Sequence, residues 1–278
     1  MSDECFEIEI QDEIAHIRFA RPERFNSMTL DFWNRLPEVI DDIDSKGKAR
    51  VIVISSTGKH FTAGMDLSVF ESNNTLSGND SPITRGPRVY ELVKRFQNTV
   101  SCLEKARMPV LVAIQGGCIG GGMDLVTAAD MRYATADAFF CIQEINIGMT
   151  ADVGTFPRLT RLVPEGLAKE LAYTGRRMTA AEALDAGLIN RIYPNHKEML
   201  SGVMETAQEI AKKAPLAIFG TKQIINYSKD HNTSDTLDYI SIWNASMLQP
   251  KEMREAIKAN AEKRKGNFEN LPPRTKTN

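Results

Sequence analysis

Apolar and polar residues alternate twice near the start of the chain. Phe6, Ile8 and Ile10 form one run of period two, Gln11–Glu13 make a turn, and Ala15, Ile17 and Phe19 form a second run, which predicts a hairpin. After the loop Arg21–Ser27, Thr29 is placed to cap a helix whose apolar residues Phe32, Trp33, Leu36, Val39, Ile40 and Ile43 fall at helical spacing. Arg50–Ser55 (RVIVIS) and Pro109–Gln115 (PVLVAIQ) are nearly continuous apolar runs, as expected of strands buried on both faces. A helix is predicted from Val89 to Lys105, short strands at Met131–Ala134 and Phe139–Ile142, and a helix then a strand over Glu182–Ala186 and Leu188–Tyr193. Between Glu71 and Pro87 the chain is polar and rich in Asn, Ser, Gly and Pro, so a mobile loop is expected. From Met199 onward the pattern is helical. Strand and helix in alternation predict an α/β fold with a parallel sheet.

Composition narrows the function classes. The chain has 278 residues with a net charge of −2, so no overall field recruits nucleic acid or an anionic membrane. Cys5, Cys102, Cys118 and Cys141 are dispersed and form no CxxC pair, which fits a reducing compartment and argues against a zinc ribbon. No apolar run reaches membrane length, the N-terminus is too acidic for a signal or transit peptide, and the terminal Lys-Thr-Asn is no peroxisomal address. A bacterial cytoplasm is the expected home, with a mitochondrial matrix or peroxisome as alternatives.

Two segments join a strand end to glycines. Phe61–Asp66 (FTAGMD) follows the first buried strand and Gly116–Asp124 (GGCIGGGMD) follows the second. Glycine permits positive φ and close backbone approach, so such turns can leave amide N–H groups pointing at open space. Two of them converging would form an oxyanion hole; the competing reading is a pair of tight βα turns. G-x-G-x-x-G, the P-loop pattern and G-x-S-x-G are all absent. Three acids stand in apolar company: Asp124 after the triple glycine, Glu144 after the Phe139 strand, and Asp152 in Gly148–Thr155 (GMTADVGT). Singly they read as a helix-end charge, a strand-end residue and a turn residue. Together, at one sheet edge, burial and mutual repulsion would separate their pKa values into an acid and a base. Of the four histidines only His60 lies near these segments, and no His/Cys/Asp spacing suggests a metal.

These motifs, with RPERFNSMT, DLVTAADMRYAT, QEINIGMTADVGT and TGRRMTAAEALDAGLINRIYP, resemble the crotonase superfamily, the enoyl-CoA hydratases and isomerases. The resemblance implies a spiral of ββα units as one core domain, residues 1–198, and a C-terminal helical region, residues 199–278, that assembles trimers or hexamers. It implies no cofactor beyond the coenzyme A of an acyl-CoA substrate. By the same resemblance the oxyanion N–H groups belong to Met65 and Gly121, while Ala63, Gly64, Met65, Asp66, Leu67 and Gly122 line the thioester path. Lys265 and Phe268, in the basic segment KRKGNF, reach the adenine end of the substrate. Ser68 stands where hydratases often carry a lysine. Asp, Glu and Asp at 124, 144 and 152 resemble the Δ3,5-Δ2,4-dienoyl-CoA isomerase branch, where a hydratase carries two glutamates and then a glycine. The expected activity is that double-bond shift, in fatty acid β-oxidation. The alternatives are hydration of a 2-enoyl-CoA and a non-catalytic, RNA-binding member of the same fold.

Overall fold

A computed structural model describes residues 5–69 and 81–274. The hairpin forms as the alternation predicts. Strands β1 (Phe6–Gln11) and β2 (Ile14–Phe19) pair antiparallel through a two-residue turn, with Asp12 and Glu13 both at positive φ. β2 then pairs parallel with β3 (Val51–Ser56), β3 with β4 (Val110–Ile114), β4 with β6 (Met131–Thr135) and β6 with β9 (Arg191–Tyr193), giving a six-stranded sheet. A second sheet joins β5 (Gly117–Ile119), β7 (Phe139–Cys141) and β8 (Met178–Thr179). Successive turns send one strand to each sheet, β4 then β5, β6 then β7. This is the spiral of ββα units.

Helix α1 (Leu30–Ser45) starts where expected, with the Phe32 N–H donating to the Thr29 hydroxyl, and buries the predicted apolar face. Pro37 inside it removes the N–H that would bond the Trp33 carbonyl four residues back. Thr99 of α2 (Pro82–Lys105) donates to that carbonyl instead, at 2.6 Å, which ties α2 to α1. The loop expected over 71–87 lies largely outside the described residues. Its last six positions belong to α2, because Pro82 stands in the first turn, where its missing N–H costs nothing.

The main sheet is covered on both faces, as its unbroken apolar strands require. Ile52, Ile54, Val110 and Val112 face the larger core with α1 and α2. Val51, Val53, Leu111 and Ala113 face Met199, Val203 and Ala207 of α7 (His196–Ala211). Helices α3 (Gly121–Ala128), α4 (Thr155–Leu159), α5 (Glu165–Thr174) and α6 (Ala180–Asp185) fill the spiral. Position 199 therefore falls within a helix that packs on the core sheet.

The chain ends in α8 (Pro215–Ser228), α9 (Thr233–Met247) and α10 (Pro250–Ala261). Helix α9 buries none of its residues, and Leu237, Ile242, Met253 and Ile257 are exposed. The segment after α10 returns to the core. Buried Arg50 donates to the carbonyls of Ala211 and Phe268, and Arg107 pairs with Asp44 while donating to the Pro272 carbonyl. No helix among the described residues is long and apolar enough to cross a membrane.

Candidate active site

Both glycine-bearing segments meet at one cavity of about 680 Å³. The first is positioned by two parallel bridges, Thr62 with Cys118 of the second segment and Met65 with Met28. The Met28 N–H donates to the Gly64 carbonyl at 2.8 Å, and the Asp66 N–H donates to the Met28 carbonyl at 3.0 Å. That pattern uses the groups on either side of Met65 and leaves its own N–H on the opposite edge, toward the cavity. Asp66 holds the segment down: its carboxylate accepts from the Ser27 hydroxyl and from the Ser68 N–H and hydroxyl, beside the Arg21 guanidinium. Those bonds, led by the one from Ser27, draw its carboxyl down to about 2.

The second segment is positioned by packing. Gly120 precedes α3 at φ +53, so α3 begins at Gly121, whose N–H has no acceptor within the helix. A Cβ on Gly64 would lie 2.7 Å from the Ile119 carbonyl oxygen and 3.5 Å from the Gly121 nitrogen. Glycine at 64, with φ +86, is what lets the two segments touch. A Cβ on Gly122 would lie 2.6 Å from the Thr62 side chain. Gly122 thus packs α3 against the neighbouring strand end and does not line the cavity, whereas Ala63, Gly64, Met65, Asp66, Leu67 and Gly121 all do.

The three acids line the same cavity from three elements. Asp124, in the first turn of α3, is 1% exposed, and its Oδ1 accepts from the Thr155 N–H at 2.7 Å and the Thr155 hydroxyl at 2.8 Å. Burial outweighs those two bonds and pushes its carboxyl up to about 6. Glu144 opens the 3-10 turn Glu144–Ile147, and its buried Oε2 has no hydrogen-bond partner among the described residues. Burial, then the charge of Asp124, push its carboxyl up to about 7. An unpartnered buried carboxylate oxygen is costly, so Glu144 takes up its proton near neutral pH, well above an ordinary glutamate. Asp152 lies on the loop before α4, reachable by solvent, and desolvation by the surrounding walls raises its carboxyl too. Its backbone is pinned by Gln97, whose amide donates to the Asp152 carbonyl at 2.8 Å. The loop turns at Gly154, φ +131, where any Cβ would collide with the Arg158 guanidinium. The arrangement brings the backbone of both turns, one carboxyl that exchanges its proton near neutral pH and one carboxylate that solvent can reach onto a single cavity.

Other residues expected near the site lie elsewhere. Lys265 and Phe268 line a separate cavity beside Lys212 and Arg264, with Lys265 paired to Glu13 at 3.2 Å and Phe268 buried. His60 is structural: its Nδ1 accepts the Gly117 N–H at 2.8 Å and its ring packs on Phe25 and Phe139. Among the described residues no cluster of His, Cys, Asp or Glu is arranged to hold a metal ion. The sequence gives little warning of Arg24 and Arg177, which line the cavity as cations, or of Thr155. Arg177 stacks over Phe139 and Thr155 binds Asp124, contacts distant along the chain.

Residues 9–271 match the family model described as enoyl-CoA hydratase/isomerase. The chain belongs to the enoyl-CoA hydratase/isomerase family. Within it, the chain is 40% identical over 255 residues to the mitochondrial Δ3,5-Δ2,4-dienoyl-CoA isomerase of Rattus norvegicus, covering 91% of this chain and 78% of that one. It is 39% identical to the peroxisomal Δ3,5-Δ2,4-dienoyl-CoA isomerase of Arabidopsis thaliana, covering 93% of each. Its fold is similar to the enoyl-CoA hydratase of Bacillus anthracis, with a TM-score of 0.85 at 27% identity, over 95% of this chain and 98% of that one. Membership makes the chain an enzyme of CoA-thioester chemistry.

Proposed function

We propose that the enzyme shifts the double bonds of a 3,5-dienoyl-CoA to the 2,4 positions. The observation that carries this reading is the trio Asp124, Glu144 and Asp152 on one cavity with two N–H donors, in a chain similar to isomerases so named. The Met65 and Gly121 N–H groups bind the thioester oxygen and stabilise the dienolate formed when a proton leaves carbon 2. Asp152, the carboxylate open to the cavity, takes that proton. Glu144, held protonated, returns one to carbon 6, and Asp124 sets the protonation of Glu144. Asp at 124 is one methylene shorter than the glutamate with which a hydratase holds its water, and isomerisation needs no water.

Hydration of a 2-enoyl-CoA is the second reading, favoured by the structural likeness to an enzyme titled a hydratase. Assaying a 3,5-dienoyl-CoA beside crotonyl-CoA separates the two. Isomerisation is expected to dominate in kcat/KM, and preferential hydration of crotonyl-CoA would overturn the proposal.

Residues after α7 are proposed as the assembly arm of a trimer or hexamer, since α9 touches α8 through Trp243 but has no buried residue of its own. Because α7 packs on the sheet and buried Lys222 of α8 is tied to Leu103, Met108 and Asp130, the part of that arm free of the core begins with α9 at Thr233, later than the expected 199. Lys265 and Phe268 would then serve coenzyme A only from a neighbouring subunit. The named relatives are mitochondrial and peroxisomal, so the proposed compartment is one that degrades acyl thioesters, an organelle matrix or a bacterial cytoplasm.

A further inference from the structure

Asp124 does not stand alone in its buried position. Both hydrogen bonds to its Oδ1 come from one residue, Thr155, the first residue of α4, itself fully buried. The two donors differ in kind. The N–H is one of the groups that every helix start leaves without an intrahelical acceptor, so any residue there except proline would supply it. The hydroxyl is specific to Thr or Ser, and pointing its hydrogen at Asp124 commits it as a donor. An oxygen accepting two such bonds is an acceptor site, so together they favour the ionised carboxylate where burial favours the neutral acid. Thr155 also follows the loop of Asp152 directly and so joins the element bearing Asp152 to the one bearing Asp124. The other charged or titratable groups acting on Asp124 and Glu144 are Asp152, Arg158 of α4, Cys118 of β5 and Cys141 of β7. Of these only Arg158 carries positive charge, and its guanidinium is already paired with Glu104; the cations Arg24 and Arg177 line the same cavity.

We propose that Thr155 is a positioning residue of this enzyme: its hydroxyl holds Asp124 as an acceptor-only carboxylate, and Asp124 so held keeps Glu144 in its proton-donating form. Without the hydroxyl, Asp124 takes up a proton at higher pH and its charge no longer opposes ionisation of Glu144. Glu144 then releases its proton at lower pH, and the enzyme loses its acid where the wild type still has it.

The test is the pair Thr155→Val and Thr155→Ser, and its activity arm rests on the isomerase reading. Valine keeps the shape and the N–H but deletes the hydroxyl; serine restores it. Thr155→Val should lower kcat on a 3,5-dienoyl-CoA about two- to fivefold at pH 7 with KM nearly unchanged. The alkaline limb of its kcat–pH profile should move to lower pH by about half a unit to one unit. Thr155→Ser should restore both. A lowered kcat with an unmoved alkaline limb, or a serine variant as impaired as the valine variant, overturns the proposal. A second arm needs no turnover: ¹³C-carboxyl titration of the substrate-free protein should show the apparent midpoint of Asp124 rising and that of Glu144 falling in Thr155→Val. Unmoved midpoints overturn the proposal as well. A wild type that leaves 3,5-dienoyl-CoA unchanged defeats the isomerase reading alone, and the titrations still decide the role of Thr155. Should the valine variant not fold, Thr155→Cys, with its weak S–H donor, replaces it with the same expected shifts.

Discussion

The tripeptide Gly-Met-Asp occurs at both glycine turns, as Gly64–Asp66 and as Gly122–Asp124, and its two aspartates meet opposite fates. Asp66 sits at the rim of the cavity, takes three hydrogen bonds from two serines beside an arginine, and is drawn down to about 2. Asp124 sits inside, takes two bonds from one threonine, and is driven up to about 6. The number of hydrogen bonds differs little; exposure to water decides the sign. One aspartate anchors a backbone N–H by being comfortably ionised. The other carries its charge at a cost, and that cost is what couples it to Glu144.

The largest expected effect lies with the acid that neither turn supplies. Asp152→Asn should reduce kcat on a 3,5-dienoyl-CoA about a thousandfold or more, read by steady-state kinetics. Near-wild-type turnover would remove Asp152 from the chemistry. Next comes the contact between the two turns. Gly64→Ala puts a Cβ into the Ile119 carbonyl at a left-handed position, so the N–H groups of Met65 and Gly121 must move apart. A loss of about a hundred- to a thousandfold in kcat is expected, with folding retained by circular dichroism.

The paired aspartates then give opposite stability effects at pH 8. Asp124 has a folded pKa raised above its unfolded value, so its ionisation costs stability that is absent below about pH 4 and complete above about pH 6. Asp124→Asn should therefore gain about 1–3 kcal/mol in urea unfolding at pH 8, and nothing at pH 4. Asp66 has a lowered folded pKa, so it contributes stability above about pH 4 that is lost as pH falls toward 2. Asp66→Asn should lose about 1–2 kcal/mol at pH 8. Effects of the same sign would break the comparison. The smallest change is a control distant from both turns. Gly166 lies in α5 with ordinary helical backbone and open space for a Cβ, so Gly166→Ala should add about 0.5–1 kcal/mol and leave kcat alone.

Much of this architecture is legible in the chain because it rests on short-range patterns. The alternation of Phe6–Phe19, the Thr29 cap and the unbroken runs around Ile52 and Leu111 each specify one element and the faces it buries. The start of α2 is not legible in that way. Its first two turns carry Gly86 and Pro87 and bury no predicted apolar stripe, so composition alone reads as loop. The three acids stand out as residues, but their environments do not. Thr155 is 31 positions from Asp124, and Ser27 is 39 from Asp66, so the bonds that separate the two Gly-Met-Asp aspartates exist only once the spiral closes. Gly122 shows the reverse: a residue conspicuous in the motif whose work is helix packing.

The division of labour between Asp152 and Glu144 is tested most directly by proton exchange at carbon 2. A 3,5-dienoyl-CoA incubated in D₂O with Glu144→Gln should gain deuterium at carbon 2, seen by NMR, while its double bonds stay in place. With Asp152→Asn it should neither exchange nor isomerise. Carbon-2 exchange that survives in Asp152→Asn and disappears in Glu144→Gln would contradict the account, because Glu144 would then be the base.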